Sequence, residues 1–451
     1  MSEPVPADML ATARAIAAAQ LPEGEIPWPD GHVDPWDHVE CAMALSACGL
    51  SREARLAYEW LAAAQREDGS WPRTLAGGAV TDPAGESHHA AYVAVGVWHE
   101  LLVTGDVGFA MRMWPVVWKA IEWVLGLQVP RGEVAWERDA AGQPGQFALL
   151  SGCASILQGL RCAIALAELA HDPQPEWELA AGQLAHVIAC HPEAFADKSR
   201  FAMDWYYPVL GGALRGGLAA ARLSSGWDTF VVPGLGVRCV SDEPWVTVAE
   251  TCELVMSLEA CGQGTLARTM FDTVAQLRHS DGSYWTGWQY ANQQHFPDER
   301  SSWTSAAVIL AADALTGFSA GAGIFRDLPG AARVDAPNGT ASAAQDGAGP
   351  ASANGASSNE ASTNGANANG ANANEASTNG ASANGANANG ASANGASANE
   401  ARESAVNPEA CGCSPTSADA DRVSRLPTAS NISHTGHSEV HTDWSGQPPP
   451  A

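Results

Sequence analysis

Four stretches of this chain repeat one pattern, and that pattern restricts the fold more than any other feature. IAAAQLPEGEIPW covers 16–28, YEWLAAAQREDGSW covers 58–71, IEWVLGLQVPRGEVAW covers 121–136 and FDTVAQLRHSDGSYW covers 271–285. In each, an apolar helical run ends with Gln, a short polar loop carries Gly, and an aromatic closes the unit. Gly permits the left-handed turn that ends a helix. The Gln amide can hydrogen-bond the backbone that the helix end frees, while the aromatic packs beneath the loop. Such a unit fastens one helical hairpin to the next, so the expectation is an array of hairpins.

Periodicity agrees. Apolar residues recur at helical spacing near 7–20, 36–48, 52–66, 88–104, 108–128, 149–171, 175–191, 206–223, 244–261, 264–279 and 300–316. Strand-like alternation is scarce, and TFVVPGLGVRCV (229–240) is the best short candidate. Eleven or twelve helices are too many for a simple bundle. The repeated units resemble the QW repeat of the squalene cyclase and prenyltransferase families. That resemblance implies an all-α fold, the α/α toroid, in which an inner ring of helices sits inside an outer ring. With six hairpins the same architecture belongs to many glycosidases. The repeat is structural, so it leaves the chemistry open.

Composition divides the 451 residues near position 330. The toroid is expected over 1–325. Residues 326–451 are low in complexity, dominated by Ala, Asn, Gly and Ser (NGANANGANANEASTNGASANG), and too poor in large apolar side chains to offset the entropy of ordering. The formal net charge is -27. It argues against a nucleic-acid or anionic-membrane partner, both of which need a basic surface. The N-terminus MSEPVPADML lacks the basic and apolar stretches of a signal peptide. No segment is read as approaching the ~20 apolar residues of a membrane span. Cys41, Cys48, Cys162 and Cys252 lie in apolar helical patterns and read as reduced core residues of a cytoplasmic protein. In the tail, Cys411-Gly-Cys413 is a weak metal or redox pair, and Asn431-Ile432-Ser433 is a glycosylation acceptor only if secreted.

Two chemistries use such a ring. Class II terpene cyclases carry an Asp-x-Asp-Asp acid motif, and this chain has no adjacent Asp pair. Protein prenyltransferases hold zinc through Asp, Cys and His, but His88-His89 has no cysteine nearby. No metal and no cofactor is assigned. A glycosidase instead needs two carboxyl groups flanking the glycosidic bond, and aromatic faces on which sugar rings stack. In a toroid these belong at the starts of inner helices.

DPWDHVE (34–40) is one such start, and EPWVTVAE (243–250) is another. Both read acid-Pro-Trp before an apolar helix, with Pro suited to the first helical position after a capping acid. MDWYYP (203–208), ESHHAAY (86–92), WTGWQY (285–290) and DERSSW (298–303) also set aromatics beside carboxylates. Asp34 and Asp37 also have the spacing of a capping box, so local capping is a competing account of both. Glu40 competes with a solvated face, and Glu250 with an exposed stripe of Thr247, Thr251 and Glu253. Glu250, placed two turns into its helix among apolar neighbours, is expected to hold a proton as general acid. Trp36, Trp205, Tyr206, Trp245 and Trp288 are sugar platforms or core. His88, His89 and Asp204 orient hydroxyls or serve the fold.

HVDPWDHVECAMAL, MDWYYPVLGGAL and EPWVTVAETCEL, in this order and separation, resemble a small group of toroidal glycoside hydrolases that includes the methylmannose polysaccharide hydrolase type. The resemblance implies hydrolysis of an α-linked mannan or glucan with acids at Asp37 and Glu250 and with Asp34 nearby. On this reading Glu250 is the acid and Asp37 the base. Inversion is expected, with the carboxyls ~6.5–9.5 Å apart to admit water. The alternatives are an isoprenoid enzyme, with an apolar aromatic cavity, and a non-catalytic carbohydrate-binding ring without a carboxylate pair.

Overall fold

Helices that bury every side alternate along this chain with helices that bury only one. A computed structural model describes residues 4–329. The low-complexity segment, Cys411, Cys413 and Asn431 lie outside the described residues. The described residues form α1 (Ala7–Ala19), α2 (Pro35–Ala47), α3 (Ser51–Ala64), α4 (Ser87–Thr104), α5 (Val107–Leu125) and α6 (Leu150–Leu169). There follow α7 (Pro175–Cys190), α8 (Ala202–Leu210), α9 (Gly216–Phe230), α10 (Val248–Ala260), α11 (Gly264–Val274) and α12 (Ser302–Thr316).

Every residue of α2 is buried. In α3 only Ala54, Ala57, Tyr58 and Leu61 are, the single stripe of a surface helix. The even-numbered helices pack in a closed cycle, α2 on α4, α6, α8, α10, α12 and back to α2. The odd-numbered helices lie outside them: α3 on α2, α5 on α4, α7 on α6, α9 on α8, α11 on α10, and α1 on α12. The architecture is therefore the α/α toroid, with the first and last helices completing the sixth hairpin.

Turns from inner to outer helix are short. Gly105 and Gly317, both left-handed, cap α4 and α12. Connections from outer back to inner helix are long and carry the β-structure: β1 (His32–Val33), β2 (Thr74–Ala76), β3 (Ala79–Asp82), β4 (Gly85–Glu86), β5 (Glu137–Arg138), β6 (Val231–Val232), β7 (Gly236–Arg238), β8 (Trp245–Thr247), β9 (Gly287–Gln289) and β10 (Gln294–His295). They pair as β1-β2-β3, β4-β5 and β10-β9-β8-β7-β6, all antiparallel. The strand pattern read at 229–240 is the β6–β7 hairpin.

The repeated units fasten outer helix to outer helix. Gln20 Nε2 donates to Gly24 O (3.0 Å) and to Glu53 O on α3 (3.0 Å). Gln65 Nε2 donates to Gly69 O (3.0 Å) and to Val116 O on α5 (2.9 Å). Gln128 Nε2 donates to Gly132 O (2.8 Å) and to Ala180 O on α7 (3.0 Å). Gly69 has φ +94°, and a Cβ there would sit 2.2 Å from Lys119 O, so both the turn and the close approach require glycine. The fourth unit differs. Gln276 reaches Gly234 O, and the link to α1 is made by Thr12 Oγ1, which donates to Gly282 O at 2.8 Å. Trp71 packs beneath its loop with its indole N–H on Leu61 O (2.8 Å), but Trp28 and Trp136 are used elsewhere.

Two sequence readings need correction. The run at 206–223 is two helices, α8 and α9, parted by Gly211 and Gly212. A Cβ on Gly211 would meet Ala154 O at 2.2 Å, and the apolar pattern hides this turn because it continues across it. Second, α6 does have the length and composition of a membrane span, and 83% of its most apolar window is buried inside the protein. Its hydrophobicity is that of an inner helix packed on all sides.

Candidate active site

The N-termini of the six inner helices meet at one end of the ring. Trp36 of α2 touches His88 of α4, Tyr207 of α8 and Trp303 of α12, with ring centroids 5.9, 6.1 and 6.2 Å apart. The third residue of each helix shares one register: Asp37 in α2, His89 in α4, Gly152 in α6, Asp204 in α8, Glu250 in α10 and Thr304 in α12. Asp37 and Glu250, drawn from opposite ends of the sequence, are thus equivalent positions on two inner helices, with α12 between them in the cycle.

The equivalence has a different origin from the one the sequence suggested. Asp34-Pro35-Trp36 does open a helix: Asp34 caps α2, its Oδ1 accepting from Trp36 N and Asp37 N at 2.9 Å each, with Pro35 at the first helical position. Glu243-Pro244-Trp245 does not, because residues 245–247 form β8 between β7 and β9. Helix α10 starts three residues later, so Glu250 lies in its first turn rather than two turns in.

Asp37 is 8% exposed and does not complete a capping box. Its Oδ2 accepts the indole N–H of Trp28 at 2.7 Å. Burial pushes its carboxyl well above the usual carboxylate range, and the charge of Asp34 adds to this. One turn deeper lies a second pair, Glu40 and Glu253. Glu40 accepts from Tyr92 O–H and Trp303 N–H, each at 2.8 Å, and burial raises it to about 7. Glu253 accepts from Tyr206 and from Tyr207 (2.6 Å for the latter), and burial with the charge of Glu40 raises it too. These buried acids brace the aromatic floor on which Trp36 rests.

Beside this floor opens a cavity of about 380 Å³. Helix α2 contributes Trp36, α4 with its lead-in gives His88 and Glu86, and α6 gives Ser151, Gly152 and Ser155, with Leu149 just before it. From the α8 side come Lys198, Phe201, Met203, Asp204 and Tyr207, and Trp136 closes the wall from the third repeated unit. Burial pushes Asp204 to about 6. Asp204 Oδ1 and Ser155 Oγ are buried without hydrogen-bond partners, as a sugar-hydroxyl site requires before its ligand arrives. Glu86 lies behind His88, tied through Arg73 to Asp82 (2.7 Å) and Glu137.

Asp34, Asp37, His89 and Glu250 are not among the residues that line this cavity, and several other candidates lie elsewhere. Trp205 turns outward: its indole N–H donates to Arg222 O at 2.8 Å and its ring stacks on Phe230, so it packs α8 on α9 instead of facing sugar. Tyr206 is fully buried on Glu253, and Glu40 is buried beneath Tyr92 and Trp303, so both support the floor. Trp245 packs edge-on against Phe296. Trp288 lines a separate groove with Leu235, Val246 and His295. The exposed stripe of Thr247, Thr251 and Glu253 is buried throughout. From the sequence, Glu86, Met203, Tyr207 and Trp303 were marked only as members of segments that set aromatics beside carboxylates and Glu253 only as part of an exposed stripe, while Trp28 and Trp136 were given no site role. Trp28 and Trp136 close repeated units, and that was their available signal.

Among the described residues, Glu86, His88 and His89 form the one grouping of metal-ligand type, with donor atoms within 4.8 Å of one another. Glu86 Oε2 is 3.5 Å from both His88 Nδ1 and His89 Nε2, and Asp34 lies 3.8 Å from His89 Nε2. The Arg73 guanidinium on the other oxygen of Glu86 supplies a fixed positive charge there already.

No family model matches the chain. It is 57% identical over 321 residues to the MMP endo-(1,4)-3-O-methyl-alpha-D-mannosidase of Mycolicibacterium hassiacum, an alignment covering 70% of this chain and 89% of that protein. Among solved structures, a wild-type glycosidase superposes with TM-score 0.56 at 16% identity, over 69% of this chain and 98% of that one. A sugar epimerase from a ruminal bacterium superposes with TM-score 0.52 at 9% identity, over 67% and 95%. At those identities the structural likeness establishes the ring fold and nothing about its chemistry.

Proposed function

We infer the reaction from one premise: the chain belongs to the family of the MMP endo-(1,4)-3-O-methyl-alpha-D-mannosidase. It is a glycoside hydrolase acting on an α-linked polysaccharide of the mannan type. The substrate we propose is a 3-O-methylated α-1,4-mannan, cut within the chain. The 57% identity across 89% of that relative is the observation that carries this reading. The isoprenoid and non-catalytic alternatives are set aside on the same ground.

Asp37 and Glu250 are the proposed catalytic pair. A general acid must hold a proton near neutral pH, and burial and the charge of Asp34 push Asp37 upward. We therefore assign Asp37 as the acid that protonates the leaving oxygen and Glu250 as the base that takes a proton from water, the reverse of the order expected from sequence. Asp34 positions Asp37 by capping its helix and supplies the charge that keeps it protonated. Placement on second-neighbour helices of the ring favours the wider carboxyl separation of an inverting enzyme. Asp204, Ser155 and His88 bind hydroxyls, and Trp36 is the sugar platform. The eight described cysteines form no disulfide, which supports a cytoplasmic location.

The test is Asp37→Asn and Glu250→Gln assayed on α-1,4-linked 3-O-methylmannose oligosaccharides, unmethylated mannans and α-glucans, with folding checked by circular dichroism. Each variant is expected to lose roughly 10²–10⁴-fold in kcat. Parental turnover in both variants, with product anomers unchanged, refutes the assignment.

A further inference from the structure

The cavity has a feature that an ordinary sugar site does not need. At the register where five inner helices present Asp37, His89, Asp204, Glu250 and Thr304, α6 presents Gly152. A Cβ there would stand 2.8 Å from the Trp136 ring, so the missing side chain is what lets the indole close the wall. The other side of that ring is fixed, stacked on His88 at 4.3 Å and 18°. Leu149, Phe201 and Met203 continue the apolar surface. The polar register is thus interrupted at Gly152, which offers no side-chain partner to a hydroxyl and lies beside the apolar side chains of Leu149, Phe201 and Met203. In the same cavity, one residue along from Met203 and one helical turn along from Gly152, Asp204 Oδ1 and Ser155 Oγ are buried and unpartnered.

We infer that the wall of Trp136, Gly152, Leu149, Phe201 and Met203 receives the O-methyl group of a methylated mannosyl unit, while Asp204 and Ser155 hold its free hydroxyls. The inference rests on the hydrolase reading above and adds the residues that select the substrate. A free hydroxyl turned to this wall loses its water without gaining a hydrogen bond. A methyl ether has no proton to donate, and its methyl group gains by leaving water. The apolar patch and the polar atoms beside it thereby orient the ring, the methyl against the first and hydroxyls against the second.

The experiment compares kcat/KM for methylated and unmethylated α-1,4-mannooligosaccharides of equal length, using the full chain. The parent is expected to favour the methylated series by roughly 10–200-fold, the range one apolar group gives in a matched pocket. Met203→Gln and Leu149→Gln, which put a hydrogen-bonding group on the wall, should each shrink that preference at least about fivefold, chiefly by losing the methylated substrate. Met203→Leu should keep it. Two variants on different elements keep the test alive if one misfolds. A parent that cleaves both series equally, or glutamine variants that keep the parental ratio, overturns the inference and leaves the hydrolase reading standing. A parent that cleaves neither series overturns that reading, and the inference with it.

Discussion

Trp28 shows how one side chain can set the chemistry of another. Its indole N–H on Asp37 Oδ2 favours the ionised carboxylate and is opposed by burial and by Asp34. Replacing it with Phe removes the hydrogen bond and raises Asp37 further. If Asp37 is the general acid, the alkaline limb of the kcat/KM profile of Trp28→Phe moves to higher pH, since the acid stays protonated longer. A limb that stays in place or moves to lower pH would show that another group governs it. Single residues also mark where sequence reading failed. Thr247, Thr251 and Glu253 fall at helical spacing and look like a wetted stripe. On an inner helix every face is covered, so the stripe is buried: Thr251 accepts from Val237 N of β7, and Glu253 is held by two tyrosines.

At the scale of elements, the repeated unit determines how neighbouring outer helices meet. Gly69 combines a left-handed backbone with a would-be Cβ contact of 2.2 Å to Lys119 O. Gly69→Ala should therefore cost at least about 1–2 kcal/mol, visible as a lowered Tm. Gly78 has φ +75° but open space around it, so Gly78→Ala carries the backbone penalty alone and should cost less. Equal losses at the two positions would show that the contact with α5 contributes nothing. The unit was legible in the sequence because Gln and Gly act locally, four residues apart. What its aromatic does was not legible, because Trp71 stays under its loop while Trp28 and Trp136 extend to the site.

For the whole molecule the decisive contact joins the chain's two ends. Helices α12 and α1 complete the ring, and Thr12 bonds Gly282 O across 270 positions. A closed ring has no terminal hairpin to fray, unlike an open solenoid. Thr12→Val should lower stability by roughly 1–3 kcal/mol through a lost bond and an unpaired buried carbonyl. Calorimetry should show one transition in both parent and variant. A variant that melts in two steps would show that the hairpins unfold independently.

By itself the sequence determined most of the helices and the units that fasten them, because capping, Gln–Gly fastening and helical periodicity are all written within a few residues of each other, while the ring of six hairpins came from the resemblance those units carry. It also marked Asp34 and Asp37 as acids at the start of a helix, and Glu250 as an acid set two turns into another. Only the tertiary structure decided that Asp37 and Glu250 share a register, that Trp205 faces outward, and that Gly152 admits Trp136. Those outcomes depend on where β8 ends and α10 begins, and on which side of an inner helix meets the pit. Such facts are set by contacts with other elements, as when Trp205 meets Arg222 O 17 residues on, and the pattern within one helix carries no record of them.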